Sequence, residues 1–405
     1  MPRRTAEAIT PDARDVIVVG GGPGGAATAI FLRQCGCDVL LLDQARFPRD
    51  KVCGEGISPE AWRLLDLLDA KAAVEALRPF PLRGMKLLAP DGTAVQGSYR
   101  DRQGLAVRRL DFDLALVQVA RASGVEVQEA TRVVDLLTVG AHTRGVVVDR
   151  GRGPEALWAR LVIGADGRRS LVARKLGLLA EHPRFRKFAV RGYWEGMEGL
   201  EERGEMHVGG GGYCGIAPLS PTRANVTFVL DRAEMASAAG DLDGFYRTAL
   251  GRRWPRIAER LDRARLCDRA RAVGPLALVS RGASAPGVLL VGDAAGFFDP
   301  FTGEGVTLAL RSAELASRVA NQALHSTGDA DLGGYDRERH VATRAKFRFN
   351  RLLQTVVGHP ALANLVAHRL TRHPELADRL VSVAGDFVPA RSVLGPGFLM
   401  RLLLG

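Results

Sequence analysis

The chain has 405 residues, 46% hydrophobic and 25% charged, which excludes a disordered or fibrous protein and leads one to expect two or three domains with a sizeable core. The formal net charge is +11, but the excess is arginine scattered without a polybasic block, and aromatics are only 6%, which argues against a nucleic-acid-binding stripe. Cys35, Cys37, Cys53, Cys214 and Cys267 contain no CxxC pair, so neither a disulfide framework nor a metal site is expected; with no secretory leader and no apolar run of spanning length, the expectation is a cytoplasmic protein.

The stretch Asp15 to Asp43 organises the rest. It reads DVIVVGGGPGGAATAIFLRQCGCDVLLLD: a β-branched run Val16 to Val19, a glycine turn, a small-residue helix to about Cys35 or Gly36, and a second apolar run Val39 to Leu42 that stops at Asp43. Gly20 permits a tight turn, Gly22 lets a pyrophosphate approach the backbone at Gly24, and Gly25 lets the helix pack closely on the strand. The helix N-terminus offers free N–H groups to phosphate, and Asp43 stands where a carboxylate accepts hydrogen bonds from a ribose. The whole strand–turn–helix–strand–acid pattern points to a dinucleotide site.

Residues 44 to 58 read as a loop, and an amphipathic helix is expected from about Pro59 to Leu77. Two short strands around Asp91-Gly92 precede a helix from about Asp111 to Ser123, closed by Gly124. Val125 to Val127, Val133 to Leu137 and Val146 to Val148 read as strands. Leu161 to Gly164 reads as a buried strand running into ADGRRS, with a helix to about Gly177. Residues 185 to 232 alternate as a sheet, 241 to 263 look helical, and Val288 to Val291 is another buried strand. It leads through GDAAG and DPFTGEG into a helix from about Glu304 to Leu324. Residues 334 to 405 carry helical periodicity broken at Pro360, Pro374, Pro389 and Pro396. The apolar end, GFLMRLLLG, reads either as a helix docked on the body or as a contact with a membrane surface or partner.

The fold class is therefore α/β: a Rossmann-type domain from residues 14–80, 105–180 and 273–330, an inserted sheet-rich substrate domain from 81–104 and 181–272, and a helical region from 331–405. No second glycine fingerprint occurs, so any second dinucleotide binds without one.

Four segments stand together: GGGPGG, FPRDKVCGEG, GADGRRS and VGDAAGFFDPFTGEG. In order and spacing they resemble the p-hydroxybenzoate hydroxylase fold of FAD-dependent oxidoreductases, and Pro48, Lys51, Cys53, Gly54 and Gly56 resemble the PxxKxCGxG pattern of the geranylgeranyl reductase family. The resemblance covers about residues 14 to 330. It implies FAD as cofactor and NAD(P)H as reductant. It places Asp293 at a ribityl hydroxyl, and the loop with Pro300 and Gly303 beside the flavin ring, where the helix tip at Gly305 and Val306 would steady the reduced flavin. It assigns Asp166 and Gly167 to the cofactor side, with Arg168 or Arg169 available to phosphate and helix capping as the other reading of Asp166. Either Arg108 or Arg109 would contact FAD, unless both are solvated.

Cys53 and Glu55, with Pro300, are candidate catalytic residues: Cys53 as a tuned thiol or a passive small side chain, Glu55 as a proton donor or a surface carboxylate. Tyr213 and Pro218 match the substrate-side YxWxFP motif of prenyl reductases, but Gly215 and Ala217 replace its tryptophan and phenylalanine. Flavin halogenases are similar too, but their WxWxIP motif is missing. The expected activity is an FAD-dependent, NAD(P)H-linked oxidation–reduction of a large lipophilic molecule such as a phenolic lipid, polyketide or quinone. It leans to aromatic hydroxylation through a flavin C4a-hydroperoxide, with geranylgeranyl reductase-like reduction of a C=C bond and a non-catalytic flavin redox sensor as alternatives. Nucleic acid is not expected as a partner, peripheral membrane contact through the C-terminus stays open, and the sequence does not decide the oligomeric state.

Overall fold

Continuous apolar runs build the first sheet, as parallel strands covered on both faces require. In the computed structural model, which describes residues 13–181, 187–238, 240–297, 299–326 and 332–404, Arg14–Val19 lies between two parallel neighbours, Val39–Leu42 and Pro154–Gly164. Val288–Leu290 and Glu126–Gln128 extend the parallel sheet on the two sides. Val19 registers with both Leu42 and Gly164, and Gly164 with Leu290. The glycine turn, Asp43, the Ala165-Asp166-Gly167 turn and Gly292-Asp293 therefore leave one and the same edge, the carboxyl edge where open α/β sheets bind ligands. Pro23–Gln34 packs against Gly305–His325 over this sheet.

The second sheet runs Arg265–Leu266, Lys187–Glu195, Arg223–Asp231, Gly212–Pro218, Gly204–Gly209, Gly84–Leu88, Ala94–Ser98. One face is sealed by Leu242–Arg253 and Pro255–Leu261 through Trp194, Phe228, Tyr246 and Trp254. The other face, carrying Met206, Tyr213 and Val229, turns toward Phe301 and the C-terminal helices.

Three expectations are refined. The helix expected over 59–77 is two, Ala61–Leu67 and Lys71–Glu75, because Asp69 takes a φ of 54° between them. The two strands expected around Asp91-Gly92 are Gly84–Leu88 and Ala94–Ser98, which join the second sheet; a further strand before them, Phe80–Leu82, pairs with Gly104–Ala106, which also pairs with Gly56–Ile57, in a small sheet. Pro360, Pro374 and Pro396 each start a helix, at the position where the missing N–H costs nothing.

Those C-terminal helices share a core that includes Phe349, Leu370, Val383, Phe398 and Leu402, so the apolar end is docked on the body. Among the described residues no helix is long and apolar enough to cross a membrane, and no group of His, Cys, Asp and Glu side chains is placed to hold a metal ion.

Candidate active site

A cavity of about 770 Å³ lies between the carboxyl edge of the first sheet and the inner face of the second. At one end is the glycine turn. Gly20 has φ 104° and a Cβ there would stand 2.5 Å from the Ala165 carbonyl oxygen; a Cβ on Gly25 would stand 1.8 Å from the Gly20 oxygen. Gly25 thus packs the helix against the turn from behind, while Gly20, Gly22 and Gly24 border the cavity. Gly22 caps Pro23–Gln34 without any side-chain hydrogen bond, which leaves the first-turn N–H groups to an anion.

Asp43 does more than the spacing suggests. Its Oδ2 accepts from Gly21 N and its Oδ1 from Ala45 N, both at 2.8 Å, so it staples the second strand to the glycine turn and keeps one further lone pair on each oxygen. Arg49 reaches Asp43 Oδ2 at 3.7 Å and Asp113 Oδ2 at 3.0 Å. Asp113 also holds Arg109 in a buried bidentate pair at 2.7 and 2.8 Å. Arg109 borders the cavity. Arg108 does not; its guanidinium lies over the Tyr193 ring at 5.2 Å.

Asp166 caps the helix Leu171–Lys175 through Oδ2, which accepts from Leu171 N at 2.6 Å and Val172 N at 3.3 Å, while Ser170 caps Ala173 N. Burial pushes its carboxyl up. Its Oδ1 is buried without a partner. Gly167 turns beside it at φ 77°. Arg168 and Arg169 donate to the Pro275 and Gly274 carbonyls and border the cavity. Asp293 borders it as well and lies 3.6 Å from Lys51 Nζ.

At the other end Pro300, Phe301, Thr302, Gly303, Gly305 and Val306 form one wall. Facing them is the loop of Cys53, Gly54, Glu55 and Gly56, clamped from the second sheet. Asn225 Nδ2 donates to the Cys53 carbonyl at 2.8 Å, and Arg191 holds Asp50 through two bonds of 2.8 Å. Glu55 is not a surface carboxylate: it is fully buried with φ 61°. Its Oε1 accepts from Arg109 N at 3.1 Å and from the Tyr193 hydroxyl, while Oε2 has no partner. Burial raises its carboxyl above the usual range, against the opposing hydrogen bonds.

On the inner face of the second sheet, Tyr213 donates to Asp299 Oδ1 at 2.6 Å and meets Phe301 edge-on at 5.0 Å. Tyr213, Gly215 and Ala217 border the cavity, but Pro218 does not; it is out of phase with them along the strand Gly212–Pro218. A Cβ on Gly215 would meet nothing closer than 3.5 Å. Glu205 also reaches this wall, held by Arg260 at 2.8 and 3.0 Å and His207 at 2.8 Å. Sequence reasoning passed over Arg49, Asp113, Arg191, Tyr193, Glu205 and Thr302; only Arg109 and Asp113, at i,i+4 spacing, carried a readable signal.

Residues 13–350 match the model of the FAD binding domain family. The chain belongs to that family. This FAD-binding protein is 31% identical over 328 residues to a menaquinone reductase of Mycobacterium tuberculosis, covering 76% of each chain. It is 30% identical over 333 residues to a digeranylgeranylglycerophospholipid reductase of Methanothrix thermoacetophila, covering 79% of this chain and 80% of the relative. Among solved structures, a flavoprotein/dehydrogenase from Cytophaga hutchinsonii superposes with a TM-score of 0.85 at 21% identity, over 97% of this chain and 96% of that one. The protein is an FAD-dependent oxidoreductase with the α/β flavoprotein fold.

The cavity suits FAD on its own terms. Among the described residues, Thr302 Oγ1, Asp166 Oδ1 and Glu55 Oε2 are buried without partners and belong to cavity-bordering residues; such groups are costly unless a ligand satisfies them. Gly20 to Gly24 with Asp43 and Arg109 would hold the adenosine and pyrophosphate half. Asp293, Gly303, Gly305 and Val306 would hold the ribityl and ring half.

Proposed function

We propose that this oxidoreductase is an NAD(P)H-linked reductase that saturates a carbon–carbon double bond in a large lipophilic substrate. Glu55 carries the reading. Such a reduction adds a hydride to one carbon and a proton to the other, and the proton needs a donor that is protonated at the working pH. Oε1 of Glu55 already accepts two hydrogen bonds, so the acid proton belongs on Oε2, the oxygen with no protein partner. Bound FAD supplies the hydride-transfer chemistry. The chain's own part is to hold that proton in place, keep water out with Phe297, Phe301, Met206 and Val229, and offer Lys51, Arg168, Arg169 and Arg174 to dinucleotide phosphates. The two relatives above are named for lipids, which supports a lipophilic substrate.

Aromatic hydroxylation is the second reading. Gly215 and Ala217 leave room for a ring where larger side chains would narrow the wall. Incubation with NAD(P)H and a lipophilic substrate under strict anaerobiosis separates the two. Saturated product formed without O₂ supports reduction; an absolute requirement for O₂, with one oxygen atom gained, overturns it.

A further inference from the structure

One helix grips both ends of the loop that borders the cavity at Pro300 to Gly303. Along Gly333–Val357 the side chains of Lys346, Asn350 and Gln354 are buried and follow one another at i,i+4 steps, on a single stripe. Gln354 Nε2 donates at 2.8 Å to Oδ1 of Asp299, where the loop begins. Asn350 Nδ2 donates at 2.6 Å to Oε1 of Glu304, where it ends and Gly305–His325 starts. Lys346 Nζ lies 2.5 Å from Glu304 Oε2 and 2.9 Å from Asp386 Oδ1. Asp299 Oδ1 is also the acceptor for the Tyr213 hydroxyl and for Phe301 N at 2.9 Å, and Lys187 Nζ steadies Gln354 Oε1 at 2.8 Å.

Covering a loop with apolar side chains would be the cheaper arrangement, since buried ions give up their hydration and recover it only through good geometry. What this stripe adds is direction: Gln354 holds the start of residues 299–304, Asn350 and Lys346 hold the end, and Lys346 ties that end to Asp386 and the Val383 carbonyl as well. We propose that Lys346, Asn350 and Gln354 are positioning residues, a brace that holds this loop and the tip of Gly305–His325 at a set distance from the flavin ring and thereby sets the midpoint potential of bound FAD. The inference rests on the reading that this loop faces the ring.

The test uses the full-length holoprotein and reads the flavin midpoint potential and visible absorption spectrum, with FAD stoichiometry and Tm beside them. Gln354→Leu and Lys346→Met are expected to bind FAD yet shift its potential negative, as the helix tip relaxes away from the electron-rich reduced ring, and to alter the absorption band. Lys346→Arg should restore the parent values, and Arg348→Met, on the exposed side of the same helix, should leave them untouched. Thr302→Ala probes the loop itself. If Thr302→Ala moves the spectrum while Gln354→Leu changes only Tm, the brace is wrong and the helix is mere support. If Thr302→Ala is silent as well, the placement of the loop against the ring fails instead. Should Lys346→Met not fold, Gln354→Leu, a neutral-for-neutral exchange, decides alone.

Discussion

The hydroxyl of Tyr193 donates to Oε1 of Glu55, a residue that borders the cavity, and Oε2 of the same carboxyl is buried without a partner. Glu55→Gln keeps the hydrogen bonds to Oε1 but removes the titrating proton. It should retain FAD and lose turnover by roughly 10²- to 10⁴-fold. The carboxyl is raised by burial and pulled down by the Tyr193 bond. The parent should therefore lose activity as pH rises through the folded-state value of Glu55, and Tyr193→Phe should move that alkaline limb to still higher pH. A limb that stays put in Tyr193→Phe would show that Glu55 is not the group being titrated.

Glu205 predicts an opposite pH dependence, in stability rather than turnover. Burial alone would raise its carboxyl, but hydrogen bonds from His207 and Arg260 and the Arg260 charge outweigh it and bring it down to about 2. A depressed acid contributes stability above its unfolded value, ordinarily near 4.3, and loses it as pH falls toward the folded one. Between about pH 5 and pH 2 the parent should lose on the order of 3 kcal/mol through this group. Chemical denaturation across that range should show a shallower decline in Glu205→Gln.

Asp113 sits fully buried between Arg109 and Arg49. Asp113→Asn leaves the Arg109 guanidinium buried without its counter-charge, which should lower the unfolding free energy by about 3–5 kcal/mol. The double variant Arg109→Leu/Asp113→Leu should recover part of that, because both charges are gone; a double variant no better than the single one would locate the loss in packing.

Gly25→Ala places a methyl 1.8 Å from the Gly20 oxygen, so the helix must move off the turn. The purified variant should be colourless and should not take up added FAD, as measured by the flavin-to-protein absorbance ratio.

The glycine turn, both flanking strands and the acid after them were legible because each is coded locally: residues within Asp15 to Asp43 determine one another. The break at Asp69 was not, since Leu68 continues the apolar period and nothing adjacent announces a left-handed residue. Glu55 reads from its loop either as a proton donor or as a surface carboxylate, and the sequence does not choose, because its burial depends on Tyr193 and Arg109, brought to it by strand and helix pairings far along the chain. The sequence marks only helical periodicity over Lys346, Asn350 and Gln354, and the docking of that helix on residues 299–304 is what turns these polar side chains inward. Pro218 shows the converse: a motif match placed it with Tyr213, whereas the two-residue period of the strand turns it away. Arg108 and Arg109 were indistinguishable until the helix start at Arg109 brought that side chain over Asp113.

The second sheet pairs Gly84–Leu88 in parallel with Gly204–Gly209, Met85 opposite Gly204. A nascent chain must therefore emerge from the ribosome past residue 204 before its early hairpin can find this neighbour, and the segment between the two strands, residues 89–203, also supplies Pro154–Gly164 to the first sheet. Long-range closure of this kind is slow. Fragments cut after Ser98 should therefore not fold as separate, self-sufficient units, and a protease nick there should leave the pieces bound to each other, co-eluting in size-exclusion chromatography.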